Sequence, residues 1–116
     1  MRVFKVFRAE EWQQAECAGR FEGSADDRRD GYIHLSLAHQ LAGVLARYFA
    51  GARDLQLAVF PADALGEALR FEPSTGGDLY PHFYGALPLG ALEMVIPIDI
   101  GPEGRHILPP IAQQDR

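Results

Sequence analysis

The chain has 116 residues, 47% hydrophobic and 23% charged, which predicts a single globular domain over residues 1–116 rather than a disordered chain. Its formal net charge of −5 disfavours non-specific binding to DNA or RNA, because that binding depends on an excess of lysine and arginine. With one cysteine and no apolar run like a signal peptide or a membrane span, we expect no internal disulfide, no membrane partner and a cytoplasmic location.

The first third of the chain has two strand patterns, one helix pattern and a stretch without a period. Residues 2–7 are β-branched and aromatic and predict a strand. Residues 9–19 predict a helix, with acidic residues near its N-terminal end and a glycine at its C-terminal end. Residues 20–30 hold mixed charge and predict a loop, and residues 31–36 predict the second strand.

The helix pattern that follows is the strongest in the chain. Leucine, valine and aromatic residues recur at spacings of three and four, so one face of this helix is apolar. We expect Ser36 to cap its N-terminus and Gly51 to close it. Residues 54–60 then predict a strand, and residues 61–66 predict a turn that includes one helical turn.

The remainder of the chain reads as strands and turns. Residues 68–72 and 93–99 predict strands, with Pro97 at an edge or a bulge, and residues 105–109 predict a last short strand that pairs back. Strands outnumber helices, and the two predicted helices come early. This pattern predicts an α+β fold with a strongly bent, mostly antiparallel sheet.

Two segments share a polar pattern in which a histidine lies between hydroxyl-bearing residues. Side chains alternate between the faces of a strand, so each segment presents one polar row. The two rows are Tyr32, His34 and Ser36, and Tyr80, His82 and Tyr84. If the rows meet, they form a pocket with aromatic walls that suits a heteroaromatic ring and sugar hydroxyls. The alternative is a set of half-exposed strand residues, since tyrosine favours strands.

From this pattern we expect His34 and His82 to lie on neighbouring strands and to face one concavity. Glu72 follows a strand at the rim of the glycine-rich segment 74–78, where its carboxylate would meet a ribose hydroxyl or a cationic transition state. Pairing with an arginine is the alternative for Glu72. The glycine-rich segment lacks the lysine of a Walker loop and predicts a hairpin turn. The histidines have no metal-ligand spacing, so no metal is predicted.

Several quoted stretches together resemble a known family. They are "DGYIHLS", "ARYFAG", "LRFEPSTGGDLYPHFYGALPL" and a late "ILP", and they resemble the small bacterial proteins grouped as the domain of unknown function 952. The resemblance covers nearly the whole chain. This family is in turn similar in fold to ADP-ribosyltransferases and RNA 2′-phosphotransferases, which bind NAD or ADP-ribose in the cleft of a split β-structure. The resemblance therefore implies an ADP-ribosyltransferase-like fold.

The resemblance also implies roles for particular residues, with NAD or a related nucleotide as the substrate or ligand. The catalytic candidates are Glu72, His34 and His82. The candidates for nucleotide contacts are Tyr32, Ser36, Arg47, Arg53, Tyr80 and Tyr84, with Tyr80 and Tyr84 stacking on a ring and the arginines facing phosphate.

The chain departs from those transferases at one point that bears on catalysis. It has no clean H-Y-E set, because its first strand offers Lys5 and Arg8 rather than a histidine. The implied enzyme would transfer ADP-ribose or a phosphate. A non-catalytic module that binds a ligand or a partner in the same cleft is the alternative, and a metal-free hydrolase or isomerase that uses the histidine pair is a third interpretation.

Overall fold

A computed structural model describes residues 1–74 and 76–113. In these residues the strands are β1 (Arg2–Phe7), β2 (Arg20–Phe21), β3 (Ile33–His34), β4 (Leu55–Pro61), β5 (Leu69–Pro73), β6 (Leu79–Phe83), β7 (Leu87–Pro88), β8 (Met94–Ile100) and β9 (His106–Ile107). The helices are α1 (Ala9–Ala18), α2 (Ala25–Asp30), α3 (Ala38–Tyr48) and α4 (Ala62–Leu65). Short 3₁₀ turns occupy Gly66–Ala68, Leu89–Ala91 and Pro110–Gln113.

The larger sheet has four antiparallel strands in the order β1-β4-β8-β9. Its two strands β1 and β4 are buried on both faces, and the period of two divides their side chains between two apolar clusters. One cluster contains Val3 and Phe60 and reaches α1 and the smaller sheets. The other contains Phe4 and Leu57 and packs against α3. This sheet therefore forms the middle layer of the domain.

A second sheet of three antiparallel strands, in the order β3-β6-β5, lies beside the larger one, and β2 pairs with β7 in a two-stranded sheet. The chain crosses between the two main sheets just after β3. Leu35 donates its N–H to the Pro81 carbonyl of β6, while Ser36 exchanges both backbone hydrogen bonds with Phe4 of β1. The predicted α+β fold with mostly antiparallel strands is confirmed, and this crossing forms the corner at which a cleft opens.

The predicted loop at residues 20–30 is wrong, because it contains β2 and the helix α2. The helix begins with a capping box: the Asp27 N–H donates to the Ser24 hydroxyl, and the Ser24 N–H donates to the Asp27 carboxylate. It ends at Gly31, whose φ is 87°. The helix has no apolar stripe, and its buried residue is Asp27. A search for apolar periodicity therefore passes over it.

Two expected boundaries of α3 are also displaced. The residue in the N-cap position is Leu37 rather than Ser36, and the Leu37 N–H donates to the Gln40 side chain. Ser36 is instead held in the bridge to β1. The helix ends at Tyr48, and Gly51, with φ of 72°, belongs to the turn that follows. The hairpin turn expected at 74–78 is present between β5 and β6, where the Ser74 N–H donates to the Asp78 carbonyl. Thr75 lies outside the described residues.

Candidate active site

His34 and His82 face each other across the pair formed by β3 and β6. The antiparallel register places them directly opposite, and their ring centroids are 5.7 Å apart. Both line one cleft of about 220 Å³. The expectation that the two histidines lie on neighbouring strands and share a concavity is confirmed.

The cleft lies where β1, α2, the segment after β3 and α3 meet. Its polar lining consists of Lys5, Ser24, Asp26, Asp27, Arg29, Asp30, His34, Ser36, Arg47, Tyr48, Ser74, Tyr80 and His82. Cations and carboxylates are therefore mixed within one concave surface, with two tyrosines at its wall. Such a surface suits a small ligand with hydroxyls and an anionic group.

His34 is held between two carboxylates of α2. Its Nδ1 lies 2.6 Å from Oδ1 of Asp27, and its Nε2 lies 3.0 Å from Oδ2 of Asp30. Ionised carboxylates only accept hydrogen bonds, so a ring nitrogen that faces one bonds it by donating an N–H. Both ring nitrogens of His34 are therefore directed at carboxylates of α2.

Asp27 is the central residue of this network. Its side chain is 3% exposed, and Oδ1 also accepts the backbone N–H of His34. Oδ2 accepts the Ser24 N–H and lies 3.3 Å from the Lys5 ammonium. Burial alone would raise the pKa of Asp27, but the hydrogen bond from His34, the charge of Lys5 and the two backbone N–H groups outweigh it and hold that pKa well below its usual range. Asp27 therefore stays ionised in the folded protein.

His82 belongs to a separate hydrogen-bond network, with Glu72 of β5 and with Tyr84, which follows β6. Its Nδ1–H donates to Oε1 of Glu72 over 2.8 Å, and the Tyr84 hydroxyl donates to the same oxygen over 2.7 Å. The Tyr84 and His82 hydrogen bonds lower the pKa of Glu72, which is therefore an ionised acceptor. Tyr32 stacks on the imidazole at a centroid distance of 3.9 Å and an interplanar angle of 23°. These contacts leave His82 4% exposed.

The two histidines consequently differ in chemistry although they are neighbours. Since Nδ1 of His82 donates to Glu72, the neutral ring carries its lone pair on Nε2. No buried side-chain nitrogen or oxygen in residues 1–74 and 76–113 lacks a hydrogen-bond partner. Nε2 of His82 has no such partner among these residues, so this atom is not fully buried. Nε2 of His82 is thus left as a hydrogen-bond acceptor for a ligand, whereas both ring nitrogens of His34 already face carboxylates.

The other predicted site residues fall into three groups. Ser36, Arg47 and Tyr80 line the cleft together with the histidines. Tyr32, Glu72 and Tyr84 lie around the His82 ring and outside the lining, so Glu72 contacts the ligand space only through His82. Arg53 is exposed in the segment before β4 and is absent from the lining. The structure therefore does not bring Arg53 together with the others.

Four charged residues of the cleft lining lie on α2 and are not among the site residues predicted from the sequence. They are Asp26, Asp27, Arg29 and Asp30, in the stretch 20–30 that the sequence predicts as a loop. A sequence signal for them exists, because the S-x-x-D pattern of Ser24 and Asp27 is a helix N-terminus signature. That signal places Asp27 inside a helix, but it does not place the carboxylate against His34.

Two features are absent from the described residues. No group of three or more His, Cys, Asp or Glu side chains there has an arrangement that could hold a metal ion. No helix in that part of the chain is long and apolar enough to cross a membrane. The sequence-based expectation of a site without a metal stays a prediction.

Comparison with known proteins identifies the family to which the chain belongs. The model of a family described as "Protein of unknown function (DUF952)" matches residues 6–95. The chain belongs to this family. None of the curated proteins matches the chain. The resemblance that the motifs around His34 and His82 indicated is thereby confirmed.

Three solved structures of one protein, CC0527 from Caulobacter crescentus, are similar to this DUF952 chain. Its crystal structure is 36% identical, with a TM-score of 0.87 over 92% of this chain and 94% of that chain. The crystal structure of a double mutant gives the same values. The solution NMR structure is 38% identical, with a TM-score of 0.81 over 90% of each chain. The architecture described above is therefore shared with an experimentally determined structure.

Proposed function

We propose that this DUF952 protein binds NAD or a related nucleotide in the cleft, on a fold similar to that of ADP-ribosyltransferases. The observation that carries the proposal is the cross-strand pair of His34 and His82, each hydrogen-bonded to a carboxylate and both lining one cleft. A carboxylate that orients an imidazole is the arrangement by which proteins fix a histidine for ligand binding or proton transfer. The cytoplasmic location expected from the sequence remains part of this proposal.

The lining supports a nucleotide as the ligand class. Tyr80 and Tyr48 supply aromatic surface for a ring, and the guanidinium of Arg47 pairs with no carboxylate within the described residues. A volume of about 220 Å³ is below the roughly 300–1,000 Å³ of pockets that enclose a drug-sized ligand. The cleft would therefore enclose one end of a dinucleotide, and the remainder would lie along the surface.

If the protein is a transferase, His82 is the base. Its Nε2 would take the proton of an acceptor hydroxyl while the hydroxyl oxygen forms a bond to C1′ of the nicotinamide ribose. The C1′–N bond breaks with its electron pair going to nicotinamide. Glu72 then acts as a positioning residue through His82, rather than as a carboxylate in direct contact with the transition state. An RNA 2′-phosphotransferase type of reaction would use the same cleft for a phosphate.

A non-catalytic binding module is the second candidate, and one observation favours it. Asp30 accepts a hydrogen bond from Nε2 of His34, and Tyr32 covers one face of His82. Both imidazoles are thus partly committed to other groups of the protein. A module that only binds a nucleotide would need neither of them to transfer a proton.

The test combines a thermal-shift screen with a nicotinamide-release assay. NAD, ADP-ribose, AMP and nicotinamide are added separately, and a ligand that binds the folded state raises the unfolding midpoint. Release of nicotinamide from NAD supports a transferase, whereas a shift without release supports the binding module. If none of the nucleotides changes the midpoint at millimolar concentration, the nucleotide proposal is wrong.

A matched pair of variants tests the role of His82. His82→Ala should weaken the nucleotide found in the screen by about 1–3 kcal/mol, the contribution of one hydrogen bond to a neutral or charged partner. His106→Ala is the control, because Nε2 of His106 bonds the Ala52 carbonyl and the residue is outside the cleft lining. Affinity is measured per folded molecule by calorimetry. Equal losses in both variants would show that the cleft is not where the nucleotide binds.

A further inference from the structure

Asp30 lies in the cleft lining, with its carboxylate beside His34 and Arg29. Its carboxylate accepts Nε2–H of His34 over 3.0 Å and Nε–H of Arg29 over 3.1 Å. The hydrogen bond from Arg29, and then the charges of Arg29 and His34, lower the pKa of Asp30, against the effect of burial. The Arg29 guanidinium and the His34 ring thus converge on a single carboxylate of the protein's own chain.

We propose that Asp30 occupies a phosphate subsite, and that a phosphate group of the ligand replaces its carboxylate on His34 and Arg29. The inference deepens the proposed nucleotide function, on which it rests. The group recognised beside α2 is then a phosphate, and in the free protein the Asp30 carboxylate occupies this subsite.

The surroundings of Asp30 allow such a replacement. Its side chain is 31% exposed, it is the last residue of α2, and Gly31 follows with φ of 87°. Its partner Arg29 is 69% exposed, and ion pairs between exposed groups contribute little to stability. Asp27, in contrast, is buried among Ser24, Lys5 and His34. A competing anion would therefore displace Asp30 and leave Asp27 in place.

The charges around this position favour phosphate over a second carboxylate. Arg29, His34 and Arg47 all line the cleft, and the Arg47 guanidinium lies 5.9 Å from the ring centroid of Tyr48. A phosphate monoester carries about −1.5 to −2 charges and three acceptor oxygens, enough for one imidazole N–H and two guanidiniums, whereas a carboxylate has two oxygens.

The test compares Asp30→Asn with Asp26→Asn, using inorganic phosphate as the probe and calorimetry as the measurement. Both changes remove one negative charge from α2 beside Arg29, but within residues 1–74 and 76–113 Asp26 pairs with Arg29, while His34 pairs with Asp27 and Asp30 and not with Asp26. We expect Asp30→Asn to tighten phosphate binding by about tenfold, equivalent to about 1.4 kcal/mol. The matched Asp26→Asn change should have an effect of about threefold or less. Equal tightening in both variants, or no tightening in Asp30→Asn, would overturn the proposal.

A second measurement uses the unmodified protein, so it does not depend on the variants folding. Phosphate is titrated while imidazole resonances are followed by ¹⁵N NMR, and His34 should shift whereas His106, which lies outside the cleft lining, should not. Shifts of both histidines, or of neither, would contradict the subsite.

A third set of probes separates this inference from the proposed function. AMP should bind more tightly to Asp30→Asn than to the unmodified protein, whereas adenosine should bind both alike. If inorganic phosphate binds as expected and no nucleotide does, the subsite stands and the nucleotide function fails. If AMP binds equally to both proteins, the subsite fails while the nucleotide function stands.

Discussion

The four-stranded sheet and the three-stranded sheet of this protein differ in the kind of side chain that they bury. Strands β1 and β4 bury apolar side chains on both faces. Val3 and Phe60 lie on one face, and Phe4 and Leu57 lie on the other. The buried polar residues in the described part of the chain are Asp27, Ser36, Gln40 and His82, and all of them lie on the three-stranded sheet or on segments that border it. Even Gln40, on α3, donates to the Leu79 carbonyl of β6. Burial in the larger sheet is apolar, and burial in the smaller one includes paired polar groups.

The two sheets therefore contribute differently to the domain, one to its stability and the other to the orientation of polar side chains. Apolar burial is non-directional and scales with area, so it stabilises the fold without orienting any group. Hydrogen-bonded polar groups have a fixed geometry, and removing one partner lowers stability because the other is left buried without a hydrogen bond. The smaller sheet therefore holds the two imidazoles in defined orientations, on a support that the larger sheet keeps rigid.

The largest expected effect comes from the larger sheet. Phe60→Ala removes a ring that is fully buried on β4 and should lower the free energy of unfolding by about 3–5 kcal/mol through lost burial and a cavity. Val95→Ala on the exposed side of β8 is the control and should change it by less than about 0.5 kcal/mol. Denaturant unfolding measures both. A loss below that of the polar variant described next would contradict the assignment of stability to the apolar sheet.

The next effect comes from the centre of the polar network. Asp27→Asn keeps the shape of the side chain but leaves the Lys5 ammonium without its buried counter-charge and removes the carboxylate that faces Nδ1 of His34. We expect a loss of about 3 kcal/mol, as for breaking a buried ion pair. The neighbouring Asp26→Asn, where the side chain is exposed, serves as the control and should be close to neutral.

The same variant predicts a dependence of stability on pH. The pKa of Asp27 is lowered by folding, so its contribution is complete above the unfolded value of about 3.9 and is lost as the pH falls towards the folded value. The free energy of unfolding should therefore fall more steeply between pH 5 and about pH 2 in the unmodified protein than in Asp27→Asn. Parallel curves for the two proteins would show that Asp27 is not stabilised as an anion.

The smallest effect tests whether α2 depends on polar contacts at all. Ser24→Ala removes the hydroxyl that accepts the Asp27 N–H and should reduce stability by about 1 kcal/mol, the usual value of an N-cap. Ser74→Ala, at an exposed serine in the turn between β5 and β6, is the matched control. If Ser24→Ala costs nothing, the contacts of Asp27 with the sheet hold α2 and its cap does not.

Local patterns in the sequence predicted most of the larger sheet. The strand at 2–7 has the bounds of β1, and the predicted strand at 54–60 differs from β4 by one residue at each end. Alternation also placed His34 and His82 on polar rows whose meeting is confirmed by the register of β3 and β6. The burial of His82 does not follow from this alternation, which distinguishes the two faces of a strand but not how far each is covered. It results from the stacking of Tyr32, which joins the two rows.

The sequence by itself determined the apolar strands, the helix α3 and the two rows that contain His34 and His82. The strands and rows follow from a period of two residues, and the helix follows from apolar residues spaced three and four apart. Only the tertiary structure decided that α2 supplies Asp27 and Asp30 to His34, that Glu72 lies behind His82, and that Arg53 is remote from the cleft. The physical reason is that a polar contact depends on distance and direction between segments far apart in the chain. Such contacts leave no period in the sequence, whereas burial against a core does.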